Sequence, residues 1–406
     1  MNNELTDELV ISRFIERVES GNTFILKQIG KTIKEIGELT PTQARKLQQM
    51  IKYGARYDTI LERLSKITNM NGKDIDVMFQ EYAKNDYNFA KKFYEYRNIT
   101  YVPFNEMGAL KSEIKALSLM TKGTYMNLSK TSVLGFWLND RFYNIKDAYN
   151  YAIDQAILSI TQGKDTFDNQ MYSLLKQFGN SGVRTIDYES GVSRRLDSAL
   201  RMNLREGIRE LHNATQEVIG KEFDADGVEI TVHENPAKDH EDLQGRQFSY
   251  EEFEKLQNNQ PAKDYKGITY THEHRPISKL NCYHNVRAII LGVSEPQYTN
   301  EQLEQIKQRN NKGFEFEGKH YTMYEGTQLQ RRLETEIRKQ KESQMLGVSA
   351  NNKELISDAQ QKITQLTHKY RDLCKVSGLS SYNERMRVSG YKRREVWMKK
   401  VLLWQY

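Results

Sequence analysis

TVHENPAKDHEDLQGRQFSYEEFEKL, residues 231–256, and HRPISKLNCYHNVRAIILGVSEP, residues 274–296, form the stretch on which the reading of this chain turns. With its continuation to His320 the region holds His233, His240, His272, His274, His284 and His320, six of the eight histidines, and Cys282, one of two cysteines. Residues able to ligate metals or move protons are therefore concentrated here. From Asp226 to Glu295 short apolar runs alternate with turn signals, in GVEITVHEN, GRQFSY, GITYTHE and NVRAIILGV. The period-two alternation over Val228–Val232 marks the best strand of the chain. YEEFEKLQNNQ reads as a short helix or loop outside the strands. After Pro296, YTNEQLEQIKQRNNK makes a helix, and GFEFEGKHYTMYEG makes a hairpin around Glu317-Gly318.

Outside this region the spacing is helical. Leu9, Ile11, Phe14, Ile15 and Val18, then Phe24, Ile25, Ile29, Ile33 and Ile36, predict a pair of amphipathic helices divided at Gly21. Thr40-Pro41 supplies an N-cap and a first-turn proline for a helix over roughly 41–67. A further helix covers Met70–Arg97 and closes at the extended run Asn98–Pro103. From Asn105 to Thr161 helices continue, interrupted at Gly123 and at Gly135-Phe136-Trp137. Asp165–Gly179 is another short helix. Beyond the turn cluster Gly179–Gly182, a short extended piece leads into a long helix striped by Leu196, Ala199, Leu200, Leu204, Ile208 and Leu211. Arg194, Arg195, Arg201, Arg205 and Arg209 lie off that stripe and read as solvated or salt-bridged. Two helices, 327–342 and 353–375, joined by MLGVSANN, form a hairpin whose charged flanks suggest that it projects from the α+β unit. The expected fold class is α+β: a predominantly α-helical, elongated chain with one small histidine-rich α+β domain. The expected division is 1–178 helical, 179–225 central basic helix, 226–325 α+β, and 326–406 helical hairpin with a basic C-terminal tail.

Composition bounds the function. A chain of 406 residues exceeds the about 250–300 at which single cores stop growing. A mean hydropathy of −0.77 with 28% charged residues describes helices that expose much of their surface or are completed by neighbours. No window reaches the apolar length of a membrane span, and Met1–Ser20 has no apolar signal core, so synthesis in a cytoplasm is expected. Cys282 and Cys374 alone make no disulfide framework. The net charge of +6 permits a polyanion partner without demanding one. Arg385, Arg387, Lys392, Arg393 and Arg394 crowd the C-terminal stretch, and they are the residues to test for a phosphate contact. A solvated helix face is the competing reading.

Several chemistries fit the histidine region. His233, His240, Cys282 and His284 are zinc-ligand types, although H-x6-H and C-x-H match no standard finger. A buried cysteine among hydrogen-bonded histidines is the structural alternative. His272–Ser278 (HEHRPIS) before Asn281 has the histidine, proline and asparagine of a ββα-metal nuclease, but Val286–Leu291 reads as a strand where that nuclease needs a helix. Cys282 and His284 would share one strand face as a nucleophile pair, with no third orienting group in evidence. Asp239, Glu241 and Asp242 beside His240 read either as acid/base groups or as carboxylates at a helix N-terminus. No glycine-rich phosphate loop is present, which leaves nucleotide binding unsupported.

One pattern is more specific. His233 with Asn235-Pro236-Ala237-Lys238-Asp239-His240, then Gln244-Gly245-Arg246-Gln247-Phe248, then Asn281-Cys282-Tyr283-His284 and Gly292-Val293-Ser294, resembles the signature of the tailed-phage minor capsid protein 2 family. Upstream, Val183–Gly191 leading into Arg195-Leu196-Asp197-Ser198-Ala199 and Arg201 is similar to the family's central region. Glu234–Lys238 replaces the family's usual Gly-Ala-Arg-Pro turn, and Leu243 its usual Trp. The resemblance implies a non-enzymatic structural protein of the phage head, present in few copies near the portal vertex. Its implied roles are head morphogenesis and DNA packaging or delivery. The implied partners are the portal or major capsid protein, with phage DNA as a further one, and neither a membrane nor a small-molecule substrate. The implied location is the virion head, after synthesis in the bacterial host cytoplasm. No cofactor is implied, and zinc is the ion that the His/Cys residues would take. The alternative is a metal-dependent nuclease or other hydrolase acting on phage DNA.

Overall fold

The computed structural model of the chain describes residues 3–40, 43, 55–89, 91, 94, 100–160, 164–187, 189–279 and 282–392. Asn3–Gly37 is one helix, α1, that runs through Gly21 instead of breaking there. Ile11, Phe14, Ile15 and Val18 on one side of Gly21, and Ile25, Leu26, Ile29, Ile33 and Ile36 on the other, form a single buried stripe. Burying that stripe outweighs the roughly 1 kcal/mol that an interior glycine costs a helix. Past its end, the Thr40 amide donates to Gln43 Oε1 at 3.0 Å and Thr40 Oγ1 accepts from the Gln43 amide at 3.4 Å, a reciprocal capping pair. Residues 41, 42 and 44–54 lie outside the described set, so the start of the expected helix over 41–67 does too. Its remainder and the helix expected from Met70 are one element, α2 (Ala55–Phe89), which passes through Gly72.

α3 (Gly108–Leu128) likewise passes through Gly123, where a side chain would meet open space. The stretch after it holds what the helical reading lacks. β1 (Leu134–Leu138) and β2 (Arg141–Asn144) pair antiparallel from Gly135↔Asn144 to Leu138↔Arg141. They are joined by Asn139 and Asp140, both at positive φ, the two-residue turn whose twist suits a hairpin. Gly135 is required because a Cβ there would sit 2.0 Å from the Tyr143 carbonyl oxygen. After α4 (Ile145–Ile160) and α5 (Lys164–Ser181), β3 (Arg184–Ile186) and β4 (Ser193–Arg195) complete a sheet of order β2-β1-β3-β4. The chain thus carries a sheet inside its helical part, in addition to the strands expected after residue 226. α6 (Leu196–Glu222) buries the predicted stripe against this body.

The second unit is a three-stranded antiparallel sheet, order β6-β5-β9, made of β5 (Gly227–Ile230), β6 (Gln247–Ser249) and β9 (Val286–Ile289). α7 (Tyr250–Gln257) is capped by the Ser249 hydroxyl, and β7 (Ala262–Lys263) pairs with β8 (Thr269–Tyr270). Val228, Ile230, Leu243, Phe248, Leu256, Ala262, Tyr270 and Ile277 make its own small core. α8 (Asn300–Lys312) and the hairpin of β10 (Phe314–Phe316) and β11 (Lys319–Tyr321) follow, with Glu317 and Gly318 at positive φ in the turn as expected.

α9 (Met323–Ala350) and α10 (Lys353–Ser377) form the predicted helical hairpin, but α9 continues through Gly347 and only Asn351-Asn352 make the turn. Asn351 adopts the left-handed C-cap conformation and Asn352 caps α10 through its side chain. Nor does the hairpin simply project, because α9 packs along α1 and α5. At the crossings the glycines approach within a side chain's thickness: a Cβ on Gly30 would lie 2.8 Å from Ser349 Cβ, and one on Gly179 2.8 Å from the Cα of Ser343.

Charge is buried at this junction. Arg195 binds Glu342 at 2.6 Å and Asp197 at 3.3 Å, and Arg338 binds Asp197 at 3.0 Å. Arg195 is salt-bridged rather than solvated. Glu19 of α1 is also buried there, and burial, reinforced by Asp197, pushes its carboxyl up to about 8. A carboxyl raised in the folded state contributes stability that is fully present below about pH 4.5 and lost as pH rises through about 8. Glu19→Gln is therefore expected to raise the melting temperature more at pH 8.5 than at pH 5. Thermal unfolding at the two pH values checks this, and an equal gain at both would refute it.

Candidate metal centre

The loop after β5 and the entry to β9 bring three residues of the histidine stretch together. The donor atoms of His240, Cys282 and His284 all lie within 4.8 Å of one another. Cys282 Sγ is 3.5 Å from His240 Nδ1 and 3.4 Å from His284 Nδ1. Both histidines are buried and the cysteine is half-buried.

The partners of the other ring nitrogens fix the tautomers. His240 Nε2 lies 2.8 Å from the Arg275 carbonyl oxygen, which can only accept, so Nε2 carries the hydrogen and neutral His240 presents a bare Nδ1. Gln244 Oε1 accepts from the His233 backbone amide at 2.9 Å, which sets the orientation of the carboxamide. His284 Nε2, 3.2 Å from that same oxygen, must then be the donor, and its Nδ1 is bare as well. Burial holds both imidazoles below their ordinary pKa, His284 well below, and pushes the Cys282 thiol up.

His233 stands beside this trio. Its ring centroid is 4.7 Å from that of His284, and its Nε2 contacts the Tyr283 carbonyl oxygen. His274 is buried 6.3 Å, centroid to centroid, from His240, and His272 Nε2 lies 3.2 Å from the Asp239 carbonyl oxygen. His320, on β11, is 3.2 Å from Glu315 and outside the cluster.

The acidic residues near His240 hold the loop. They sit in hydrogen-bonded turns, not at the start of a helix. Arg275 grips Asp239 through Nε and Nη2, each at 2.8 Å. Burial opposes ionisation of Asp239, yet the hydrogen bonds from Arg275 hold its carboxyl well below the usual range. Glu241 accepts from Lys238, Asn310 and Asn311, and Asp242 from Lys307. These bonds tie the loop to α8. All three carboxylates are thus engaged by donors of the loop, of α8 or of Arg275.

Sequence spacing did not reveal Gln244 and Arg275 as supports of the trio, although both lie inside the quoted stretches. Tyr283, between the two ligand-type residues, was also missed. The guanidinium groups of Arg205 of α6 and Arg331 of α9 lie over its ring, 4.8 and 4.9 Å from its centroid, and both donate to its hydroxyl. Each such contact contributes about 0.5–2 kcal/mol, so Tyr283 clamps the small sheet to the long helices.

Among the described residues no helix lies between the HEHRPIS segment and β9: residues 271–279 are loop and turn, and residues 286–289 are β9. A ββα-metal arrangement is therefore not built there. An open depression of about 400 Å³ lined by Ser249, Glu252, Lys263, Asp264 and Tyr265 contains none of the trio, which is a buried side-chain centre rather than the wall of that cleft.

Of the basic C-terminal residues, Arg385 lies 4.0 Å over the Tyr382 ring, and its carbonyl oxygen accepts from Arg338. Met386 and Val388 are buried, Tyr391 donates to Gln344 at 2.8 Å, and Thr23 donates to the Ser389 carbonyl at 3.1 Å. This part of the expected tail is packed on α1 and α9. Arg387 is mostly exposed, 3.9 Å from Glu384. Arg393 and Arg394 lie outside the described residues.

Compared with known proteins, residues 7–375 match the family described as phage minor capsid protein 2. No curated protein and no solved structure matches the chain.

Proposed function

The chain belongs to the phage minor capsid protein 2 family, and from that premise we propose that it is a low-copy, non-catalytic component of the tailed-phage head. We place it at the portal vertex, acting in head morphogenesis and in DNA packaging or delivery. A family match running from the first turns of α1 to the last turn of α10 carries the reading, because it takes in the two larger sheets, the His/Cys centre and the helical hairpin. Membership makes the chain a phage capsid protein and other head proteins its partners. No described helix is long and apolar enough to cross a membrane. The portal or major capsid protein is the specific neighbour this reading assigns, and packaged DNA is the polyanion for the exposed Arg387 and the basic residues after it.

Asymmetric imaging of wild-type virions beside particles from an amber mutant is expected to show missing density confined to the portal vertex. Density lost evenly around the icosahedral shell would overturn the placement. Virions that never contained the chain would overturn the structural role itself.

A further inference from the structure

We propose that Cys282 Sγ, His240 Nδ1 and His284 Nδ1 bind a zinc ion. The site is independent of where in the head the chain sits. Three observations converge on it.

The first is distance. With Zn–N of about 2.0–2.1 Å and Zn–S of about 2.3 Å, a tetrahedral ion places its nitrogen and sulfur donors about 3.6 Å apart. The two N···S separations here are 3.5 and 3.4 Å.

The second is proton bookkeeping. Both Nε2 atoms carry hydrogens, as their acceptors require, so two bare Nδ1 lone pairs face one sulfur. A thiol has a single proton and can satisfy only one of them. In a buried cluster the other lone pair would meet sulfur lone pairs, an arrangement that costs free energy. A cation accepts all three lone pairs, and the thiol proton leaves to solvent as the thiolate binds.

The third is support. Ligating histidines characteristically donate their second N–H to a carbonyl or carboxylate, which orients the ring. His240 donates to the Arg275 carbonyl and His284 to Gln244 Oε1, and Gln244 is itself fixed by the His233 amide. One thiolate and two imidazoles suit zinc among the divalent ions and are poor ligands for magnesium or calcium. Three protein donors leave one tetrahedral position for water. The ion would join the 231–245 loop to the entry of β9.

The test uses the full-length protein, purified under reducing conditions without chelator. Elemental analysis is expected to find zinc in proportion to protein. After stripping, titration with cobalt(II) is expected to give the absorption of a tetrahedral ion with a thiolate-to-metal charge-transfer band. Cys374→Ser should keep that band and Cys282→Ser should lose it. Gln244→Leu should keep the band and weaken cobalt affinity by about 10–100-fold. Should Cys282→Ser fail to fold, the wild-type spectrum still decides. A wild-type protein without the charge-transfer band, copper in place of zinc, or a band lost with Cys374 instead would overturn the proposal.

Discussion

Arg195→Met is expected to lower folding stability by about 3–5 kcal/mol, the usual cost of removing one partner from a buried ion pair. The Arg195 side chain is 6% exposed, and it is the cation 2.6 Å from Glu342. Asp197 would keep Arg338 at 3.0 Å, but Glu342 would be left buried without its guanidinium partner. Burial already raises the Glu342 carboxyl, so losing the guanidinium would raise it further and favour the protonated form. The deficit should therefore be smaller at pH 5 than at pH 8. Urea denaturation followed by far-ultraviolet circular dichroism at both pH values measures it. In the double variant with Glu342→Leu much of the loss should be recovered, since no unpaired charge then remains at that position. A loss below about 1 kcal/mol in the single variant would show that the network is not desolvated as its geometry implies.

The second large effect is expected at Gly30. A valine there would drive its side chain into Ser349 Cβ, 2.8 Å from the ideal Cβ position, and into the Leu346 carbonyl oxygen at 2.9 Å. The Leu346 oxygen belongs to the backbone of α9 and cannot rotate away, so α1 and α9 would have to separate. Overpacking of this kind costs about 1–3 kcal/mol and occasionally more. Gly30→Val is accordingly expected to lower the denaturation midpoint, whereas Gly123→Ala on the open face of α3 should leave it unchanged or slightly raised. Equal midpoints for Gly30→Val and the unaltered protein would mean that the hairpin stands away from α1.

Helices were the most legible part of the chain. Stripes such as Leu196–Leu211 and Ile25–Ile36 repeat at helical spacing, and the repeat is a property of sequence alone. The breaks were less legible. Gly21, Gly123 and Gly347 all lie inside helices, because burying the apolar stripe of each helix overrides a local propensity of about 1 kcal/mol. The β1–β2 hairpin was hidden for the opposite reason. Its turn is Asn139-Asp140 rather than a pair containing glycine, and LGFWL lacks the polar alternation of a half-exposed strand because four of its five residues are buried.

At the candidate centre the sequence by itself determined the ligand types and their crowding into one stretch, and it identified the family through the same residues. It could not determine which donors meet. His240 and Cys282 are 42 positions apart, and their approach depends on the β5–β9 pairing and on the Arg275 and Gln244 acceptors that orient the rings. The buried charges were equally beyond reach: Arg195 and Glu342 are 147 positions apart, and the local spacing that left Arg195 either solvated or salt-bridged names no partner for it. Spacing along a chain encodes which face of an element is apolar. Which faces and side chains then meet is decided only when the elements pack, because burial and pairing are properties of the tertiary structure.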